Sequence, residues 1–372
     1  MKKLSNSARY KLNAVCPYYT MFPLEFPMAV LKGADRNSIV FDPFCGRGTT
    51  NFAAQTYGIK SYGFDASPIA IAIAKAKLAN TDVNSVMELL DELLQLPNVK
   101  VPQGEFWELA FHPDTLQDVC KLRDYLPLKR DTDVVVMLKA IALGCLHGPM
   151  TKDPHNPSYF SNQMPRTFST KPNYSVGYWK KKKLFPIFVD IRTPIRKKAE
   201  MVLKYIDASG ARPTNIVCTD SRKPSGYRKI AENIDLVISS PPYYGMQTYV
   251  QDQWLRNWFI GGPEHVDYDI NSQVSHESPE AFSKSLAQVW NNISKRASED
   301  IRLAIRFGGL RSRKGCYDSI LRESFKMASE NWSIYYSRNA GSSYKGRRQA
   351  ETMGDRAKSS PIDEKDYFVR FT

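Results

Sequence analysis

One segment constrains the fold more than any other. Ser38-Ile-Val-Phe-Asp42 is an apolar run that ends in a single acid. Pro43-Phe-Cys-Gly-Arg-Gly48 follows, and Thr49 to Tyr57 has helical character. That order predicts a strand, a glycine turn and a helix. Lys60-Ser-Tyr-Gly-Phe64 starts the pattern again, ending at Asp65. Pro68 then opens an alanine-rich helix to Leu78, sitting in the first turn where proline is tolerated. Two such units in the first 80 residues predict an α/β chain with a doubly wound sheet.

The alternation breaks after residue 80. Helical stretches are predicted at Val86 to Leu96, Pro113 to Tyr125 and Asp133 to Leu146. A proline-rich, basic and aromatic stretch runs from Gly148 to Phe188. Strand-like runs resume at Asn215-Ile-Val-Cys218, before Asp220, and at Asp235 to Ser239. A helix from Pro279 to Lys295, a strand from Ile301 to Arg306 and a helix from Tyr317 to Ser329 follow. Trp332 to Tyr336 and Tyr367 to Phe371 have no helix between them, which predicts an antiparallel hairpin. The expected fold is a sheet of about seven strands, divided by an insert. The division is 1–80 for the first half, 81–213 for the insert and 214–372 for the second half.

Charge narrows the partners. Lys and Arg number 52 against 38 Asp and Glu, a formal net charge of +14 over 372 residues. Such a balance favours a polyanionic partner. The six cysteines form no CxxC pair, and the five histidines complete no zinc pattern, so no metal is expected. No run is long enough to span a bilayer and no signal-peptide core follows the basic N-terminus, so a cytoplasmic protein without a membrane role is expected.

Three acids fall at predicted strand ends: Asp42, Asp65 and Asp220. Gly46 and Gly48 let a ligand approach the backbone closely. No Lys follows the second glycine, so this is not a phosphate-cradling P-loop, and the dinucleotide GxGxxG spacing is absent. The acids and glycines describe a pocket for a nucleoside with a polar tail. The second feature is Asp235-Leu-Val-Ile-Ser-Ser-Pro-Pro-Tyr-Tyr-Gly245, a core strand that stops at two prolines and two tyrosines.

Asp42-Pro-Phe-Cys-Gly-Arg-Gly-Thr-Thr50 and Ser240-Pro-Pro-Tyr243 together resemble the exocyclic-amino DNA methyltransferases, which use S-adenosylmethionine. The resemblance covers roughly residues 12 to 80 and 214 to 310. It implies a class I methyltransferase-like sheet and a base clamp. Ser240 and the Pro241 carbonyl would each accept a hydrogen of the target amino group, freeing its lone pair. Pro241 and Pro242 would hold the corner stiff, and Tyr243 would stack on the flipped base. For the cofactor, the resemblance implies Asp42, Pro43, Phe44, Gly46, Gly48 and Thr49 around the methionine end. Asp65 would take the ribose hydroxyls, Asp220 would lie near the adenine, and Thr20 and Phe22 would fold over the methionine moiety.

A serine at the head of the clamp is commoner in the cytosine-N4 enzymes than in the adenine-N6 enzymes of this family. A site-specific cytosine-N4 enzyme is therefore favoured, one that marks double-stranded DNA for restriction–modification or a similar host system, with a cognate endonuclease or other defence subunit as its partner. An adenine-N6 enzyme, an RNA or tRNA amino-methyltransferase and a non-catalytic nucleic-acid-binding subunit stay open. The insert is the candidate target-recognition region. Asn162, Gln163 and Arg166 suit base edges, and Lys180, Lys181, Lys182 and Lys183 suit phosphates. Arg347 and Arg348, in a basic stretch with Arg338 and Lys345, are further candidates for the nucleic acid. A lysine run is equally compatible with a solvated surface. The insert precedes Asp220 rather than following it, unlike the commonest layout of the family.

Overall fold

A computed structural model describes residues 11–18, 23–150, 153, 155–161, 163–164, 171–203, 214–244, 250–266, 274, 276–309, 316–340 and 363–372. The chain divides into two compact units. One spans Tyr18–Ala74, Ser209–Thr248 and Asn271–Thr372; the other spans Met1–Pro17, Lys75–Ala208 and Tyr249–Ile270.

The first unit holds a seven-stranded sheet. In chain order its strands are β1 (Ile39–Asp42), β2 (Lys60–Asp65), β3 (Thr214–Cys218), β4 (Ile234–Ser239), β5 (Ala297–Gly309), β6 (Trp332–Asn339) and β7 (Asp363–Phe371). Their spatial order is β3-β2-β1-β4-β5-β7-β6. The first five are parallel, and β7 runs antiparallel to both β5 and β6. This is the class I methyltransferase-like sheet expected from the sequence, including the antiparallel C-terminal hairpin. The order reverses between β1 and β4, and the carboxyl ends of strands at such a switch point form a ligand crevice.

All four residues of β1 are buried, as a strand covered on both faces requires. Phe41, Phe64 and Tyr227 meet edge to face, with ring centroids 4.9 to 5.7 Å apart. Each such pair adds about 0.5–1.5 kcal/mol beyond burial of its area. On the other side of the unit, Trp290 of the helix Pro279–Ser294 stacks on Phe325 at 4.8 Å. The Trp290 indole N–H donates to Ser324 Oγ at 2.9 Å, so its one polar atom is satisfied in the core.

The second unit is helical among its described residues. It includes Val83–Leu94, Pro113–Tyr125, Asp133–Cys145, Pro172–Lys182, Arg192–Leu203 and Trp254–Phe259. Its core has an aromatic centre: Trp107 lies 4.5 Å from Trp258 and 5.7 Å from Trp254, and Phe106 lies 5.5 Å from Trp179. No helix among the described residues is long and apolar enough to cross a membrane.

Candidate active site

The register of β1 against β4 brings the two sequence motifs together. Val40 faces Leu236 and Phe41 faces Val237, so both strands end at one edge. The Ser239 hydroxyl donates to Asp42 Oδ1 at 2.6 Å, and the Phe44 N–H donates to the same oxygen at 3.1 Å. Thr50, in the first turn of the helix Thr49–Tyr57, donates to the Ile238 carbonyl at 3.0 Å. The glycine turn is thus tied to the strand that carries the proline corner.

Asp42 is fully buried, and its Oδ2 has no hydrogen-bond partner. Burial pushes its carboxyl up to about 7, against the pull of the Ser239 hydroxyl, the nearby Thr50 hydroxyl and the Phe44 amide; Asp65 nearby pushes the same way as burial. Asp65 uses both oxygens to hold the turn: Oδ2 accepts from the Gly46 N–H at 2.9 Å and Oδ1 from the Ser67 N–H at 2.8 Å. Each oxygen keeps a free lone pair for a further donor. Burial raises its pKa, with the two amides opposing.

The glycines differ in what they permit. Gly46 has φ +50, and the place its Cβ would take is open to 4 Å. Gly48 has φ +72, and a Cβ there would sit 2.9 Å from Ala74 Cβ. Gly46 therefore leaves room beside the backbone, and Gly48 lets two chain segments touch. Gly63 on β2, which sequence reasoning passed over, serves the same packing: its Cβ would lie 2.7 Å from Asn51 Oδ1 and 3.0 Å from Cys45 Cβ.

Asp220 follows β3. Burial raises its pKa, but Arg222 outweighs it and holds the carboxyl below its ordinary value. Arg222 Nη2 is 2.7 Å from Asp220 Oδ2 and Nε is 3.0 Å from Oδ1. The next residue, Ser221, donates its hydroxyl to the Pro43 carbonyl and so joins this loop to the glycine turn. The Tyr227 hydroxyl caps the Ser221 carbonyl at 3.0 Å. Ser221 is a second position that no sequence pattern singles out.

At the end of β4, Ser239 and Pro241 are buried, while Ser240, Pro242 and Tyr243 are half-buried. The Ser240 and Tyr243 oxygens are 3.5 Å apart, a marginal contact. The Tyr243 ring meets Phe307 edge-on at 5.5 Å. Burial pushes its phenol well above the ordinary value, and Glu364 adds to this, so it stays neutral at physiological pH. Tyr244 points the other way, stacked on His276 at 6.2 Å and edge-on to Phe282 at 5.5 Å.

Behind the corner, β5 and β7 carry a buried ion pair. Arg306 Nε is 2.7 Å and Nη2 3.2 Å from the Asp366 carboxylate. Arg338 Nε reaches the same carboxylate at 3.2 Å, so this arginine of the basic C-terminal stretch is a sheet contact. The Arg306 guanidinium also lies 4.4 Å from the Phe26 ring centre.

The remaining sequence candidates fall in different places. Gln163 is buried, donates from Nε2 to the Leu109 carbonyl and accepts the Trp179 indole N–H at 2.8 Å. Its side-chain amide thus packs the interior rather than facing a base edge, because the Leu109 carbonyl claims it, while the Trp179 indole binds the Gln163 backbone carbonyl. Lys180 to Lys183 are exposed. Thr20, Phe22, Asn162, Arg166, Lys345, Arg347 and Arg348 lie outside the described residues. Among the described residues no cluster of His, Cys, Asp or Glu could hold a metal ion.

The sheet order defines a class I methyltransferase-like fold. Residues 2–76 match the N6_N4_Mtase family model, described as DNA methylase. The match covers the glycine turn and the first two strands, and the rest of the chain lies outside it. The chain is also 39% identical over 93 residues to the Type II methyltransferase M.MjaII of Methanocaldococcus jannaschii. That match spans 24% of this chain and only 18% of the relative. Among solved structures, the rRNA methyltransferase aviRa from Streptomyces viridochromogenes aligns over 97% of this chain and 92% of its own, at 12% identity and a TM-score of 0.37. An rRNA methylase from Streptococcus thermophilus aligns over 95% and 99%, at 9% identity and a TM-score of 0.35. Likeness at that level says nothing about the substrate.

S-adenosylmethionine, the cofactor of the partly matched family, fits the residues present. Asp42 offers a buried acceptor without a partner, and Gly46 an open place beside the backbone. Two acidic side chains at this edge, Asp42 and Asp65, offer oxygen acceptors to the hydroxyl and ammonium donors of such a ligand.

Proposed function

We propose that the chain transfers a methyl group from S-adenosylmethionine to the N4 amino group of a flipped-out cytosine in double-stranded DNA. The observation that carries this is the 2.6 Å hydrogen bond from Ser239 to Asp42, which sets the Ser240-Pro-Pro-Tyr243 corner beside the glycine turn. The partial family match and the basic charge support it. A role in restriction–modification or host DNA marking belongs to the same proposal, supported by the name of the Type II relative.

The cofactor supplies an electrophilic methyl group on a positively charged sulfur. The chain has to supply a free lone pair on a nitrogen that normally shares it with the ring. Ser240 Oγ and the Pro241 carbonyl accept the two amino hydrogens and favour a pyramidal nitrogen. Two prolines fix these acceptors in advance, so little reorganisation is needed at reaction. Tyr243, held by Phe307, gives the base a face to stack on, a contact worth about 1–3 kcal/mol. With its two hydrogens held by Ser240 Oγ and the Pro241 carbonyl, the amino nitrogen would use its lone pair to take up the methyl group, the sulfur keeping the electrons of the bond it gives up, and would pass the proton it sheds to solvent water. Holding donor and acceptor in line supplies up to ~7–11 kcal/mol without a covalent intermediate.

The test is methyl transfer from a labelled donor to duplex DNA. Label should enter DNA with the intact chain and not with Ser240→Ala/Tyr243→Ala. Equal labelling by that variant contradicts the assignment of the corner.

A further inference from the structure

The helix Pro172–Lys182 and the loop after it form a surface that the proposed chemistry does not use. The helix is anchored from below: Trp179 is fully buried, with its indole N–H bound to Gln163, and Ser175 is buried beside it. Its upper end is all charge. Lys180 pairs with Glu105 at 2.5 Å, but Lys181, Lys182 and Lys183 have no ion-pair partner among the described residues. Cations do suit a helix C-terminus, so charge alone would not mark a site.

Two further observations do. Lys183 has φ +53 and is the one non-glycine residue with positive φ among the described residues. It closes the helix through backbone bonds to Lys180 and Trp179. Glycine is the usual residue for that closure. The chain keeps a strained lysine there instead. Immediately after it, Phe185 is 73% exposed, Ile187 46% and Phe188 56%. Phe188 is steadied edge-on by His112 at 5.6 Å, while Phe185 has no ring partner among the described residues.

We propose that Lys181 to Lys183 and Phe185 form a docking surface for duplex DNA, with the lysines on backbone phosphates and Phe185 against a base step. Negative charge and a flat apolar face, offered together at close spacing, are what a nucleic acid presents. This rests on the chain being a DNA-modifying enzyme, and it adds where the duplex is gripped outside the base clamp.

The full chain is tested by binding to labelled duplexes over a range of salt, with methyl transfer to DNA followed in parallel. Lys183→Gly suits the left-handed backbone, so it should raise the melting temperature and yet weaken DNA binding. Its slope of log affinity against log salt should fall by about 0.9, the value for one phosphate contact. Phe185→Ser should leave that slope unchanged and weaken binding about tenfold, the loss of one stacking contact. It should also abolish the fluorescence rise of 2-aminopurine placed at successive steps. Unaltered affinity and slope in both variants, with methyl transfer intact, overturn this surface and leave the enzyme reading standing. Lost binding to phosphatidylserine vesicles with unchanged DNA binding overturns it in favour of a membrane surface. A wild-type chain that neither binds nor methylates DNA overturns both.

Discussion

The Ser239 hydroxyl donates to Asp42 Oδ1 at 2.6 Å, joining the ends of β4 and β1 across 197 positions of sequence. This one bond sets the distance between the glycine turn and the proline corner. Four consequences can be measured.

The first concerns pH. The Asp42 carboxyl stands near 7 in the fold and near 3.8 when unfolded. Between those values the folded chain holds a proton that the unfolded chain has released. Stability from this group is therefore greatest below the lower value and falls as pH rises towards 7. The full gap is about 4 kcal/mol. Asp42→Asn should flatten the decline in unfolding free energy between pH 4 and 7. A decline as steep as in the wild type would place its origin elsewhere.

The two turn glycines should separate stability from binding. Gly48→Ala meets both a left-handed backbone and Ala74, so it should destabilise the unliganded chain by more than about 1–2 kcal/mol. Gly46→Ala meets only the backbone cost. It should be the milder change in thermal unfolding but should lose most of the protection that S-adenosylmethionine gives. Equal protection of wild type and Gly46→Ala would mean that the open place beside Gly46 is not used.

The ion pair behind the corner is buried on both sides, with Arg306 8% and Asp366 2% exposed. Asp366→Asn leaves the Arg306 charge without compensation and should cost about 3–5 kcal/mol in denaturant unfolding. Arg338 is 47% exposed, so Arg338→Ala should cost about 0.2–1 kcal/mol. Similar losses in the two variants would show that Asp366 answers to both arginines equally.

Tyr243→Ala should lower methyl transfer by at least about 100-fold while cofactor protection stays close to that of the wild type. Tyr243→Phe keeps the ring on Phe307 and should retain most of the activity. A Phe variant as inactive as Ala would assign the work to the phenol rather than to stacking.

Several of these positions were legible in the sequence because their signal is local. An apolar run ending at Asp42, a glycine pair and a helix-forming stretch stand side by side, and the fold reproduces them as β1, turn and helix. The hairpin of β6 and β7 was legible from a missing helix. Long-range pairing was not: Ser239 looks like any strand serine, and nothing near it names Asp42. Arg302 and Arg306 occupy equivalent places in an alternating strand, yet only Arg306 is buried, because Asp366 stands opposite it in β7. The helix Pro172–Lys182 was hidden by its own composition. Only Ser175 and Trp179 are buried, too few to show an apolar period. The helix Arg192–Leu203 did carry a signal, with Ile195, Ala199 and Val202 at helical spacing and buried.

The central claim is that the corner after β4 presents a cytosine amino group to the methyl donor. It is tested most directly by supplying purified chain with methyl-labelled S-adenosylmethionine and mixed-sequence duplex DNA and RNA, then identifying the labelled nucleoside by mass spectrometry. The account predicts N4-methylcytosine in the DNA digest. Label in N6-methyladenine would keep the clamp and contradict the assignment of the base, and label confined to RNA, or absent from both, would contradict the substrate itself.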